Sequence, residues 1–334
     1  MKSSTSSRPA VLVARAIFPE VVQRLQQHFE VEDNPADVIY SKAELTRRLK
    51  GKAGAFTTLS ERIDEEVLSA NPQLRVVANM AVGYNNFDVA ACSARGVLAT
   101  NTPGVLSETT ADLGFALMMA AARRMAEGER FLRSGQWDRW SYDMLMGGDV
   151  HGTTLGILGM GQIGQAIARR GALGFGMRVI YHNRKPLPVE QEAPLGAKWV
   201  DMPTLLSQSD HVVLVVPYSA QTHHLIGAAQ LAQMKPTATL TNVARGGVVD
   251  DAALAVALRE RRIAAAGLDV FEGEPAVHPA LLDVPNVVLT PHIGSASVRT
   301  RRAMADLAAD NLIAVLTGGR PPTPINPEVL DAAR

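Results

Sequence analysis

Three short segments set polar residues among apolar neighbours: Asn242-Val243-Ala244-Arg245-Gly246-Gly247, Asp269-Val270-Phe271-Glu272-Gly273-Glu274-Pro275 and Pro291-His292-Ile293-Gly294. Their side chains suit one reaction, reduction of a ketone that lies beside a carboxylate. An imidazolium such as His292 donates a proton near neutral pH, and a carboxylate such as Glu274 beside it favours the charged form. A guanidinium such as Arg245 holds a carboxylate through two parallel hydrogen bonds and polarises the adjacent carbonyl. Each residue alone equally suits a plainer role. Arg245 reads as a surface charge, Glu274 before Pro275 as a turn residue, and His292 after Pro291 as a loop cap.

A hydride donor needs its own site, and Gly159-Met160-Gly161-Gln162-Ile163-Gly164 is a candidate. The apolar run Leu155–Leu158 precedes it and a helical pattern through Ala166, Ile167 and Ala168 follows. In that setting Gly159 permits the tight turn, Gly161 lets the backbone approach a pyrophosphate, and Gly164 lets helix and strand pack closely. The helix start offers free N–H groups and the positive end of its dipole. The plainer reading is a tight turn that binds nothing. About 20 residues further on, an NAD site carries Asp or Glu for the ribose hydroxyls. Here Asn183 is followed by Arg184 and Lys185, which repel no 2′-phosphate and can pair with one. NADPH is therefore the preferred cofactor, with NADH possible; a solvated basic loop is the alternative.

These segments need a scaffold that gathers them. In an open parallel sheet, loops at the carboxyl ends of the strands converge on one crevice. Short apolar runs at Ala10–Ala14, Ala53–Thr57, Leu74–Ala78 and Val97–Thr100 read as buried strands, with amphipathic stretches between them. A second alternating series predicts six strands: Thr154–Leu158, Arg178–His182, His211–Val216, Thr237–Asn242, Ala264–Leu268 and Val287–Thr290. Between the series, Ser107 to about Arg133 is dense in Ala, Leu and Met on every side, which predicts a buried helix partly covered by a partner subunit. The helical pattern after Ile293 cannot extend the second sheet usefully and is expected to return to the first domain. The fold class is thus α/β, with two Rossmann-like doubly wound parallel-sheet domains, the first discontinuous in sequence. The boundaries predicted are a flavodoxin-like substrate-binding domain over 1–104 and 293–334, and a dinucleotide-binding domain over 105–292.

The 33 basic and 33 acidic residues among 334 balance, so no nucleic-acid or anionic-membrane partner is indicated. No apolar run approaches the roughly 18 residues that span a bilayer. Cys92 is the only cysteine, which precludes an intrachain disulfide and suits a cytoplasmic protein. The Ser-rich stretch Met1–Pro9 reads as a frayed tail. His223-His224 hints at a metal, but no Cys or carboxylate stands nearby at ligand spacing, so a loop role and no metal are expected. His211 reads as structural, while Trp137 and Trp140 either pack or line a substrate entrance.

With these words in place, the chain resembles the D-isomer-specific 2-hydroxyacid dehydrogenase family over almost its whole length. The resemblance rests on Asn242–Gly246, Gly267–Pro275, Leu289–Gly294 and the glycine turn. It implies that Arg245 binds and activates substrate, Glu274 orients His292, and His292 donates the proton. It implies nicotinamide-side contacts from Thr110, Val243, Ala244, Arg245, Asp269, His292 and Gly294, and adenosine-side contacts from Val216 and Pro217. Gly159, Gly161, Gln162, Ile163 and Gly164 would take the pyrophosphate. The family's carboxylate-binding backbone loop matches Val82-Gly83-Tyr84-Asn85-Asn86. A homodimer through the helix after Gly104 and hinge closure are also implied. Within the family, Gly83–Asp88, Trp137-Asp138-Arg139-Trp140 and Tyr181–Arg184 are most similar to glyoxylate/hydroxypyruvate reductases, some also called 2-ketogluconate reductases. The implied reaction is reduction of small 2-keto acids to D-2-hydroxy acids. The alternatives are 2-ketogluconate as main substrate, or a nucleotide-sensing, corepressor-like binding protein on the same scaffold.

Overall fold

The computed structural model describes residues 8–332. The reading of Met1–Pro9 as a tail falls almost entirely outside them. Two compact units form, one from residues up to Leu106 together with those from Ser297, the other from Ser107–Ala296.

In the first unit, β1 (Ala10–Val13), β2 (Glu30–Glu32), β3 (Gly54–Thr57), β4 (Val76–Asn79) and β5 (Leu98–Thr100) pair in parallel in the order β2-β1-β3-β4-β5. Val11, Leu12, Val13, Val76 and Val77 are fully buried, as expected of a sheet covered on both faces. The returning helix Val298–Leu316 starts where the Ser297 hydroxyl accepts the Thr300 N–H at 3.2 Å. It packs on β3 and β4 so closely that a Cβ on Gly54 would lie 2.7 Å from the Leu312 methyl. Strand β2 was not predicted: it is three residues long, with polar Glu30 and Glu32 around Val31.

The second unit holds seven parallel strands where six were predicted. These are β6 (Thr154–Leu158), β7 (Arg178–His182), β8 (Lys198–Trp199), β9 (His211–Leu214), β10 (Thr239–Asn242), β11 (Ala265–Leu268) and β12 (Val287–Leu289). Their order, β12-β11-β10-β9-β6-β7-β8, reverses direction between β6 and β9, the switch point at which such sheets bind ligands. The addition is the two-residue exposed edge strand β8.

The stretch after Ser107 is two helices rather than one. Ser107–Ala122 ends before Arg124, whose left-handed φ of 52° breaks the run, and Met125–Arg133 follows. The first helix is covered largely within its own unit, where it packs on β10 and β11; a Cβ on Gly267 would meet the Leu117 carbonyl at 2.9 Å. The second buries none of its residues, and Met125, Leu132, Trp137, Trp140, Tyr142 and Met146 all stand exposed. Neither tryptophan is packed into the core. No helix among the described residues is long and apolar enough to cross a membrane.

Candidate active site

At the end of β6 each glycine of the turn meets a different constraint. Gly159 has φ +103°, and a Cβ there would lie 2.7 Å from the Val215 backbone. A Cβ on Gly164 would lie 2.3 Å from the Gly159 carbonyl oxygen, so helix and strand meet only without one. Gly161 has nothing within 4 Å of that position, leaving the approach to the start of helix Gln162–Arg169 open. Gly161 supplies no side-chain cap, so the first N–H groups of the helix, from Gln162, Ile163 and Gly164, remain for a ligand. The cradle fits a pyrophosphate.

The Asn183 carboxamide oxygen accepts the Met160 N–H at 2.7 Å and its carbonyl accepts Trp199 Nε1 at 3.0 Å, which ties the end of β7 to the turn. Arg184 and Lys185 next to it are exposed and, among the described residues, make no hydrogen bond or ion pair. Val216 and Pro217 follow β9, where the Pro217 carbonyl accepts the Thr222 hydroxyl at 2.8 Å.

The ends of β10, β11 and β12 are bound together far more tightly. Buried Asn242 braces the first loop: its oxygen accepts the Ala244 N–H at 3.0 Å and its amide donates to the Arg245 carbonyl at 3.1 Å. Val243 and Ala244 are buried. A Cβ on Gly246 would lie 1.7 Å from the Phe271 carbonyl oxygen, so the Arg245 turn lies directly against the second loop. Burial pushes the Arg245 guanidinium down from its ordinary value, and Glu274 opposes that shift. One guanidinium N–H bonds the Ala244 carbonyl at 2.7 Å; among the described residues the others have no partner.

Glu274 receives the Phe271 N–H on one oxygen at 2.9 Å and faces His292 Nδ1 with the other at 2.6 Å. Burial raises this carboxyl's pKa, but the His292 hydrogen bond, the charges of His292 and Arg245 and the Phe271 N–H outweigh it, holding the carboxyl below its ordinary value. His292 has a left-handed φ of 52°, imposed by its surroundings. Its N–H bonds the Asp269 carbonyl at 2.9 Å. Buried Asp269 also accepts the Thr290 hydroxyl at 2.6 Å, the Ile293 N–H at 2.8 Å and the Gly294 N–H at 2.7 Å. Thr110 flanks this knot, since a Cβ on Gly294 would meet its methyl at 3.4 Å.

Val82 and Gly83 lie in the first unit after β4, and two asparagines not singled out from sequence hold them. Asn101 donates to the Val82 carbonyl at 2.7 Å and Asn79 to the Gly83 carbonyl at 3.1 Å. Asn101 is itself anchored by the C-terminal segment, whose Thr323 hydroxyl donates to its carbonyl at 2.6 Å. Both carbonyls are thus fixed, and among the described residues the N–H groups of Val82, Gly83 and Tyr84 make no hydrogen bond. Asparagine at the end of a buried strand was the available sequence signal.

Cys92 is buried, which pushes its thiol up to about 12 and leaves it inert. His211 is buried, with its ring nitrogens on the Thr239 hydroxyl at 2.8 Å and the Asp149 carbonyl at 3.1 Å.

Residues 115–294 match the family described as D-isomer specific 2-hydroxyacid dehydrogenase, NAD binding domain. A glyoxylate reductase of Thermococcus onnurineus is 49% identical, over 98% of both chains. An NADPH-dependent glyoxylate/hydroxypyruvate reductase of Sinorhizobium meliloti, solved with NADP and malonate, superposes with a TM-score of 0.85 at 39% identity, covering 96% of this chain and 97% of that one. A glyoxylate reductase from Paecilomyes thermophila gives 0.87 at 32% identity, covering 97% and 99%. The chain therefore belongs to the D-isomer-specific 2-hydroxyacid dehydrogenase family and is an oxidoreductase.

Proposed function

We propose that this enzyme reduces glyoxylate and hydroxypyruvate to glycolate and D-glycerate, preferring NADPH over NADH. The observation that carries the reading is the His292–Glu274 hydrogen bond in a loop system that also presents a half-buried, largely uncommitted Arg245. NADPH, when bound, supplies the hydride. Its pyrophosphate is assigned to Gly159, Gly161, Gln162, Ile163 and Gly164, and its 2′-phosphate side to Asn183, Arg184 and Lys185. Val216 and Pro217 take the adenosine, and Thr110, Val243, Ala244, Asp269 and Gly294 the nicotinamide end. The three hydrogen bonds already accepted by Asp269 make it a brace for that end as well.

On the second unit the Arg245 donors suit a keto acid and polarise its carbonyl; on the first, the Val82 and Gly83 N–H groups suit a carboxylate. As the keto carbon gains a bond to hydrogen, the carbonyl π pair moves to oxygen, and His292 protonates that oxygen from Nε2. Nδ1 stays on Glu274, which fixes the ring. The relative named glyoxylate reductase supports the substrate class, and the Sinorhizobium enzyme with NADP, together with the unpaired Arg184 and Lys185, supports the cofactor. The exposed apolar side chains between Met125 and Met146 support a homodimer, with the interface centred beyond the Ser107–Ala122 helix. A cytoplasmic setting fits the single buried thiol.

The test is loss of NADPH and NADH absorbance across a panel of 2-keto acids, including 2-ketogluconate. The reading requires glyoxylate or hydroxypyruvate with NADPH to give the highest kcat/KM. Higher efficiency with NADH or with 2-ketogluconate would overturn the finer assignment, and no turnover with any acid would favour a nucleotide-binding role.

A further inference from the structure

We propose that His223, His224 and Glu272 form a binding site for one borderline divalent transition-metal ion, with zinc(II) as the first example. The sequence offered only the two adjacent histidines. The fold brings a carboxylate to them from 48 residues away, and His224 Nε2 lies 2.9 Å from Glu272 Oε2. One ligand-type atom from each of the three residues lies within 4.8 Å of the others. Tetrahedral zinc, with bonds of about 2.1 Å, sets its donors about 3.4 Å apart. Closing the remaining gap takes a shift of at most about 1.4 Å, within reach of χ rotations in half-exposed side chains.

The surroundings prepare the donors. The two imidazole rings stack at 3.9 Å with 23° between their planes. Tyr218 Oη lies 3.2 Å from His223 Nδ1 and holds the ring in place. His224 holds a left-handed φ of 49°, and its N–H is fixed on the Gly247 carbonyl at 2.7 Å. Glu272 is anchored through its own N–H to the buried Asp251 carboxylate at 3.0 Å. Gly247 leaves room for the cluster, since a Cβ there would meet the Tyr218 ring at 3.0 Å and His223 at 3.5 Å. Two imidazoles and one carboxylate suit zinc, nickel or copper and do not suit magnesium or calcium, which favour all-oxygen sets. The exposed face leaves water to complete the coordination. Bound metal would join the loop after β9 to the loop that carries Glu274, and the proposal stands apart from the assigned substrate and cofactor.

The test is calorimetric titration of zinc chloride into the full-length protein after chelator treatment. We expect one equivalent bound, at about 10 μM or tighter. His224→Ala and Glu272→Gln should each weaken binding at least tenfold, with NADPH-dependent turnover in metal-free buffer unchanged, and His292→Ala should leave the zinc affinity as it was. Zinc should also raise the Tm of the wild type and not that of His224→Ala. Absence of saturable binding, binding indifferent to both cluster variants, or binding lost only in His292→Ala, which would place the ion at the His292–Glu274 pair, would each overturn the proposal.

Discussion

The two halves of the second unit's sheet end in loops of opposite character. Beyond β6 and β7 the surface is open: Gly161 faces free space, and Arg184 and Lys185 have no partners among the described residues. Beyond β10, β11 and β12 the loops are locked together by Asn242, Gly246, Asp269 and Glu274. The open half suits binding, where a ligand itself supplies the missing hydrogen bonds. The locked half suits chemistry, where a proton donor and a cation must be held in place before substrate arrives.

That contrast can be broken most severely at Arg245. Arg245→Ala removes the half-buried guanidinium, and kcat/KM for the keto acid should fall about 10²–10³-fold with NADPH affinity little changed. A fall below tenfold would mean that the locked half is only scaffolding. In the open half, the Arg184→Ala/Lys185→Ala double variant should raise KM for NADPH about tenfold and leave NADH kinetics unchanged, as expected for loss of a charge-assisted contact of about 1.5 kcal/mol. Equal effects on both cofactors would assign these cations to general charge rather than to a 2′-phosphate.

A smaller effect concerns stability. Burial lowers the His211 pKa below its ordinary 6.5, so the folded chain resists a proton that the unfolded chain accepts. The stabilisation is complete above the unfolded pKa near 6.5 and is lost as pH falls through that value toward the folded pKa, by at most about 1.4 kcal/mol per pH unit. Thermal melts of His211→Asn between pH 7.5 and 5 should show a shallower decline than the wild type. Parallel declines would remove His211 from the account.

The open half was legible in sequence because its signal is local: strand, glycine turn and helix follow one another within about 20 residues. The locked half was legible only as separate words. Nothing in the spacing of Asp269, Thr290, Ile293 and Gly294 reveals that the first residue's carboxylate holds the other three. The same holds for Asn101, which reads as a loop polar residue until Thr323 and Val82 are found on either side of it. Strands β2 and β8 escaped notice because their two or three residues, Glu30-Val31-Glu32 and Lys198-Trp199, include charged side chains and carry no apolar run. The helix break at Arg124 lacks the glycine or proline that usually announces one, so composition alone joined the two segments.

The most direct measurement pairs NADPH binding, followed by fluorescence titration, with glyoxylate turnover in purified His292→Ala. The division of labour predicts a Kd within about twofold of wild type while turnover falls about 10²–10⁴-fold. Near-normal turnover, or a cofactor affinity that collapses along with it, would contradict the separation of a binding half from a proton-donating half.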